Sequence, residues 1–238
     1  MPTLEWIGKS KVVNHHQEVP FRVLERQYSF DEMGKHTEDN GSDNMIIHGD
    51  NLEALKALLP QYEGRVKCIY IDPPYNTGNE KWCYNDNVND PHIQKWLGEV
   101  VGKEGEDLTR HDKWLCMMYP RLMLLQKLLA DDGFIFVSID VFEYAYLRCI
   151  MDEIFGSANF RNCIAVRRGI KNVQAQFDEV QSLSLGHEYI YLYSKNPQAK
   201  LPKLSKGFEA DKAGKWDTFW RGTDRPTMRY EIFGITPE

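Results

Sequence analysis

Four consecutive residues, Asp72-Pro73-Pro74-Tyr75, hold the densest chemistry in this chain. They close the apolar run Val66-Lys67-Cys68-Ile69-Tyr70-Ile71, which reads as a buried strand of a parallel sheet. Ligands of open α/β sheets bind beyond the carboxyl ends of the strands, so Asp72 stands where a site would form. Two prolines restrict the backbone around it, and Tyr75 adds a flat ring. A carboxylate, a rigid carbonyl and a ring suit the grip of a planar, amino-bearing base. The exocyclic amino group of adenine or cytosine is a poor nucleophile, because its lone pair is delocalised into the ring. Hydrogen bonds from its two hydrogens to the Asp72 carboxylate and the Pro73 carbonyl would direct that lone pair toward a methyl donor. Orientation set in advance lowers the barrier. The base must first leave its duplex, at roughly a few kcal/mol, and stacking on Tyr75 returns about 1–3 kcal/mol. Pro-Pro also marks ordinary surface turns; the apolar strand in front and Asn76-Thr77-Gly78 behind argue against that reading.

The elements that must position this turn follow from periodicity. Met45-Ile46-Ile47-His48 reads as a short strand, and Gly49-Asp50-Asn51 turns it into a helix striped by Leu52, Leu55, Leu58 and Leu59 that ends near Pro60. With the strand at 66–71 this makes a right-handed β-α-β unit, its two strands side by side. The long polar stretch over 76–110 exceeds the usual loop of a compact domain and reads as functional or mobile. A helix is expected over 111–130, with Leu115, Met118, Leu122, Leu125 and Leu129 on its apolar face and a kink or division at Pro120. Asp131-Asp132-Gly133 ends it, and Phe134 through Ile139 reads as another buried strand. A helix over 142–155, a strand at 160–167, a polar loop over 168–186 and a strand from His187 to Tyr193 complete the pattern. Residues 1–44 read as an irregular arm with a short helix near 20–30.

At 238 residues and 42% apolar, the chain can bury one large α/β domain, or one and part of a second. No window approaches the ~18 uninterrupted apolar residues of a membrane span. The first residues show no basic segment followed by an apolar one, so a cytoplasmic protein with no membrane partner is expected. The five cysteines, at 68, 83, 116, 149 and 163, form no close pair; buried, reduced thiols and no metal site are expected. A net charge of −6 at first argues against a nucleic-acid partner. Its distribution argues the other way: residues 1–160 carry 16 Lys and Arg against 26 Asp and Glu, whereas 161–238 carry 13 against 9. That asymmetry fits a basic surface built by the last third, and fits ordinary surface variation equally.

Ile69-Tyr70-Ile71-Asp72-Pro73-Pro74-Tyr75-Asn76-Thr77-Gly78-Asn79 resembles the catalytic motif of the amino-methylating DNA methyltransferases. The similarity is to the β-ordered adenine-N6 group that includes the modification subunits of type III restriction systems. Three further segments resemble that family: His48 through Leu52, Trp114 through Leu122 continuing into Asp132 through Asp140, and Met151 through Gly156 with Asn159-Phe160. Trp216 through Gly234 is similar to the start of its target-recognition region. The resemblance implies an α/β fold, a mainly parallel doubly wound sheet of the S-adenosylmethionine-dependent methyltransferase type. It divides the chain into an N-terminal arm (1–44), a catalytic part (45–194) and the start of a recognition region (195–238). It implies that Asp72 and the Pro73 carbonyl hold the amino group, with Pro74 and Tyr75 completing the motif and Tyr75 stacking on the flipped adenine. Asp50, Asn51 and Asp72 would approach the S-adenosylmethionine cofactor; for Asp50 a plain helix cap is an equal reading. Double-stranded DNA is the implied partner. Arg167, Arg168 and Lys171 fit phosphate contacts or a solvated loop, and Arg221, Arg225 and Arg229, interleaved with Trp220 and Tyr230, fit a DNA-contacting surface or an aromatic cluster.

One departure stands out. The family resembled carries a Phe-x-Gly-x-Gly loop where the backbone approaches the methionine end of the cofactor, and no Gly-x-Gly occurs among these 238 residues. Gly102 and Gly105 sit in a charged stretch without a strand before them. In the β order that loop follows the recognition region, so the sheet is expected to be incomplete at its C-terminal end. The expectation is a fragment or one half of a split enzyme, binding cofactor weakly or not at all alone. Its partner would be the missing C-terminal half, a second methyltransferase subunit or a restriction subunit. Cytosine-N4 methylation and a non-catalytic DNA-binding or assembly remnant are the alternatives.

Overall fold

The computed structural model describes residues 3–76, 91–101, 109–167, 186–201 and 230–235. Arg168, Lys171, Arg221, Arg225 and Arg229 lie outside them, as do residues 77–90 and 102–108 of the polar stretch and most of the loop at 168–186. The chain forms two compact units, residues 1–20 with 58–199, and residues 21–57 with 200–238.

The first unit is built on α5 (Arg110–Leu128), a nineteen-residue helix opened by a capping box between Thr109 and Asp112. Trp114 through Pro120, Leu122, Leu124, Leu125 and Leu128 are all buried, so this helix is covered all round rather than along one stripe. That burial explains why Pro120 does not divide it. Each buried large side chain is worth about 1.5–3 kcal/mol, together well above the ~3 kcal/mol of a helix-interior proline. The strand that follows, β5 (Leu129–Ile139), starts earlier than periodicity indicates and takes in Asp131-Asp132-Gly133. Gly133 permits this: a Cβ there would lie 2.9 Å from the Val66 carbonyl oxygen.

β5 pairs with β4 (Val66–Ile71), β7 (His187–Ser194) pairs with β5, and β6 (Phe160–Arg167) pairs with β7. The β4–β5 pairing is parallel and the other two are antiparallel. The fold is α/β as expected, but this sheet is mixed rather than mainly parallel. From β5 the chain enters α6 (Tyr144–Met151), then a π-turn and a 3₁₀ turn to Asn159. Among the N-terminal residues read as an arm, α1 (Lys9–Val12) and α2 (His15–Glu18) pack on α5. Gly8 makes that approach possible at φ 90°, since a Cβ would meet Cys116 Sγ at 2.9 Å. α4 (Pro91–Val100) also packs on α5.

The second unit holds another four-stranded sheet in the order β2-β1-β8-β3. β1 (Leu24–Asp31) and β2 (Gly34–His36) form a hairpin, where the sequence reading had a short helix. The charged Glu25, Arg26 and Asp31 hide its strand pattern, and the positive φ of Gly34 (110°) serves its turn. β3 (Met45–His48) leads into α3 (Asn51–Tyr62), a helix that crosses from the second unit to the first. Among the described residues β3 and β4 belong to different sheets and do not pair, against expectation. The parallel partner of β3 is β8 (Tyr230–Ile235), which also pairs antiparallel with β1. A strand 182 residues further on takes the place expected of the nearest one in sequence.

Of the four described cysteines only Cys116 is buried; Cys68, Cys149 and Cys163 are exposed, against expectation. Cys68 shares the open side of β4 with Tyr70, which is 60% exposed. No described helix is long and apolar enough to cross a membrane.

Candidate active site

Because β4 and β5 run parallel, with Ile71 opposite Val137, their carboxyl ends open on one edge of the sheet. Asp72 emerges there exposed, Pro73 is buried, and Pro74 and Tyr75 are half-buried. The turn is held from behind at two points. The indole Nε1–H of Trp114, wholly buried on α5, donates to the Pro74 carbonyl at 2.7 Å. Two residues on, Asn76 adopts φ 56°, a left-handed conformation that Asn tolerates better than most residues. Its buried Nδ2 donates to the Arg110 carbonyl at 3.1 Å and to Glu143 Oε1. Glu143, at the N-terminus of α6 and with no exposed surface, also meets His111 Nδ1 at 2.7 Å. Pro74 and Asn76 are therefore occupied. Among the described residues no hydrogen bond engages the Pro73 carbonyl. Of the two acceptors that would grip an amino group, the Pro73 carbonyl is left unbonded, and the Asp72 carboxylate is exposed with the Tyr75 hydroxyl in hydrogen-bonding reach.

Burial pushes the Tyr75 hydroxyl above its usual range, and the Asp72 and Glu188 carboxylates reinforce the shift. Its ring is thus neutral at physiological pH and suited to stacking. Ser138, on β5, joins this edge and shares a 2.6 Å hydrogen bond with the Tyr70 hydroxyl. Burial likewise raises the Glu143 carboxyl, opposed by its bond to Asn76, by His111 and by Arg110.

Arg167 comes to the same edge. It ends β6 opposite His187, and Val166 faces Glu188, so the ends of β4, β5 and β6 and the start of β7 all open one way. Three strand spacings put its backbone about 14 Å from β4, and its side chain is exposed. Asp50 and Asn51 are not on this edge's strands. They belong to the second unit, both exposed, and Asp50 Oδ1 accepts from the Leu52 and Glu53 amides at 2.9 and 3.1 Å while its carbonyl takes the first helical bond from Ala54. That is an N-cap.

Asn76, His111, Trp114 and Glu143 had no assigned role in the sequence reading. One local signal was available. Thr109-x-x-Asp112 is a helix-start pattern, and it places Arg110 and Trp114 four residues apart on one helix face.

The profile of a family described as DNA methylase matches residues 66–230. Over 205 residues the chain is 37% identical to the type III restriction-modification enzyme EcoPI Mod subunit of Escherichia phage P1, covering 82% of this chain and 30% of that protein. It is 40% identical over 182 residues to the StyLTI Mod subunit of Salmonella typhimurium, covering 72% and 27%. To the type II methyltransferase M.KpnI of Klebsiella pneumoniae it is 32% identical over 220 residues, covering 87% and 49%. The chain thus spans between 19% and 30% of the length of the Mod subunits it matches.

Proposed function

The chain belongs to the DNA methylase family, whose profile covers residues 66–230, and from that premise we propose that it carries the base-gripping half of a site-specific adenine-N6 methyltransferase active site. The observation that carries this reading is the turn after β4, held through Pro74 and Asn76 while the Asp72 carboxylate stays exposed beside Tyr75 and the Pro73 carbonyl stays unbonded. The carboxylate accepts one amino hydrogen of a flipped adenine and the carbonyl accepts the other, so the nitrogen lone pair points away from both. Tyr75, half-buried and neutral, stacks on the base. Asp in the first motif position favours adenine over cytosine-N4.

S-adenosylmethionine supplies the methyl group when bound. The exposed Asp50, which also caps its helix, Asn51 and Asp72 are the residues that would hold it. For the methionine end the chain has no Gly-x-Gly, so that contact is assigned to another segment: a C-terminal half, a second methyltransferase subunit, or a neighbour such as a restriction subunit. Residues 45–194 form the catalytic part, after an arm (1–44), and 195–238 begin the recognition region. In this reading Arg167, Arg168 and Lys171 serve phosphate contacts, and Arg221, Arg225 and Arg229 serve DNA contacts. A cytoplasmic setting fits a double-stranded DNA substrate.

Mass analysis of nucleosides tests the proposal. The chain is expressed in cells free of base methylation, together with the remainder of a Mod subunit. N6-methyldeoxyadenosine is expected, and Asp72→Ala is expected to abolish it while leaving DNA affinity within about twofold. N4-methyldeoxycytidine as the product, or undiminished methylation by Asp72→Ala, would overturn the assignment.

A further inference from the structure

We propose that Glu143 and His111 form a positioning pair that sets the backbone of the Asp72–Tyr75 turn through Asn76; this rests on the reading of that turn as the base site. The chain of contacts is short. Asn76 directly follows Tyr75, and its Nδ2 binds Glu143 Oε1, which His111 Nδ1 also meets at 2.7 Å. Tyr75 therefore lies between two anchors, the Trp114 indole on Pro74 and the Glu143 carboxyl on Asn76.

The cost of this arrangement argues for a role beyond holding the fold together. A left-handed residue other than glycine persists where its surroundings over-determine it, and here they bind Asn76 from two elements, α5 through the Arg110 carbonyl and α6 through Glu143. Glu143 itself is fully buried, and its second oxygen, Oε2, has no hydrogen-bond partner. An apolar side chain at the head of α6 would fill the same space without that penalty. The remaining neighbours flank this pair at the surface: the Arg110 guanidinium lies over the Phe142 ring at 5.5 Å, and the His111 ring lies 4.8 Å from Tyr146. Buried polar groups left partly unsatisfied occur disproportionately at working sites. These ones stand directly behind the residue that would stack on the base.

The Trp114 indole N–H reports the turn directly. Spectra of the full chain labelled with ¹⁵N-tryptophan, with the signal assigned by Trp114→Phe, need no DNA, cofactor or turnover, so their outcome is independent of the methylation test. Glu143→Gln and Asn76→Gly are expected to move the Trp114 indole resonance, while that of Trp6, half-buried and packed on Tyr119, stays in place. Asn76→Gly retains the left-handed backbone, so its effect isolates the lost side-chain link. Leu147→Ala removes an equally buried side chain one turn further along α6; it is expected to lower the melting temperature without moving the Trp114 signal. A Trp114 resonance unchanged in Glu143→Gln and Asn76→Gly would overturn the proposal. So would a shift matched by Trp6 or reproduced by Leu147→Ala, since either reports general loosening.

Discussion

Two turns in this protein are built from the same parts and used differently. Each follows a strand and leads with an exposed aspartate: Asp50 after β3, Asp72 after β4. At Asp50 the carboxylate bonds forward to the Leu52 and Glu53 amides, and the aspartate is explained by the helix it starts. At Asp72 the fixing is done by other residues, through the Pro74 carbonyl and the Asn76 amide, and the carboxylate caps no helix: it stays exposed, within hydrogen-bonding reach of the Tyr75 hydroxyl. An acidic residue at a strand end is thus weak evidence of a site. A strand end immobilised by buried side chains from two other helices, with its acceptors spared, is much stronger.

That contrast can be broken or sharpened. The largest effect is expected from Trp114→Phe, which removes the donor to Pro74 and strands a carbonyl in the interior; it should cost about 1–3 kcal/mol in denaturant unfolding. A loss no greater than that of an exposed substitution would show that the β4 turn is not held from behind. Asp50→Ala should cost less, about 1 kcal/mol, as the removal of an N-cap does. The smallest effect is a pH dependence. Burial holds the Glu143 carboxyl above its ordinary 4.5, so its contribution to stability is complete below that pH and is lost as pH rises through the folded value. Glu143→Gln does not titrate, so its stability deficit against the native chain should narrow with rising pH, by at most about 1.4 kcal/mol per unit. A deficit that widens would contradict the direction of the shift.

What could be read from sequence divides along the same line. The strands at 45–48, 66–71 and 160–167 and the one from His187 are local patterns, and they stand in sequence where periodicity puts them. Among the described residues, though, 66–71 is an edge strand with only Ile69 buried rather than the buried strand its apolar run suggests. The partners of the turn are not local. Trp114 is 40 residues from Pro74, and Glu143 is 67 from Asn76, so nothing in the tetrapeptide announces them. Strand neighbours failed for the same reason. The β-α-β rule pairs 45–48 with 66–71, yet β8, contributed by residues 230–235, takes the parallel place beside β3. Pro120 misleads because propensity is local and the burial that overrides it is not.

The most direct test of the difference between the two turns uses 2-aminopurine placed as an unpaired base in a duplex, where flipping costs least. Stacking on Tyr75 predicts fluorescence quenching when the native chain binds, retained in Asp50→Ala and lost in Tyr75→Ala. Equal quenching by all three, or its loss in Asp50→Ala alone, would contradict the placement of the base at the turn after β4.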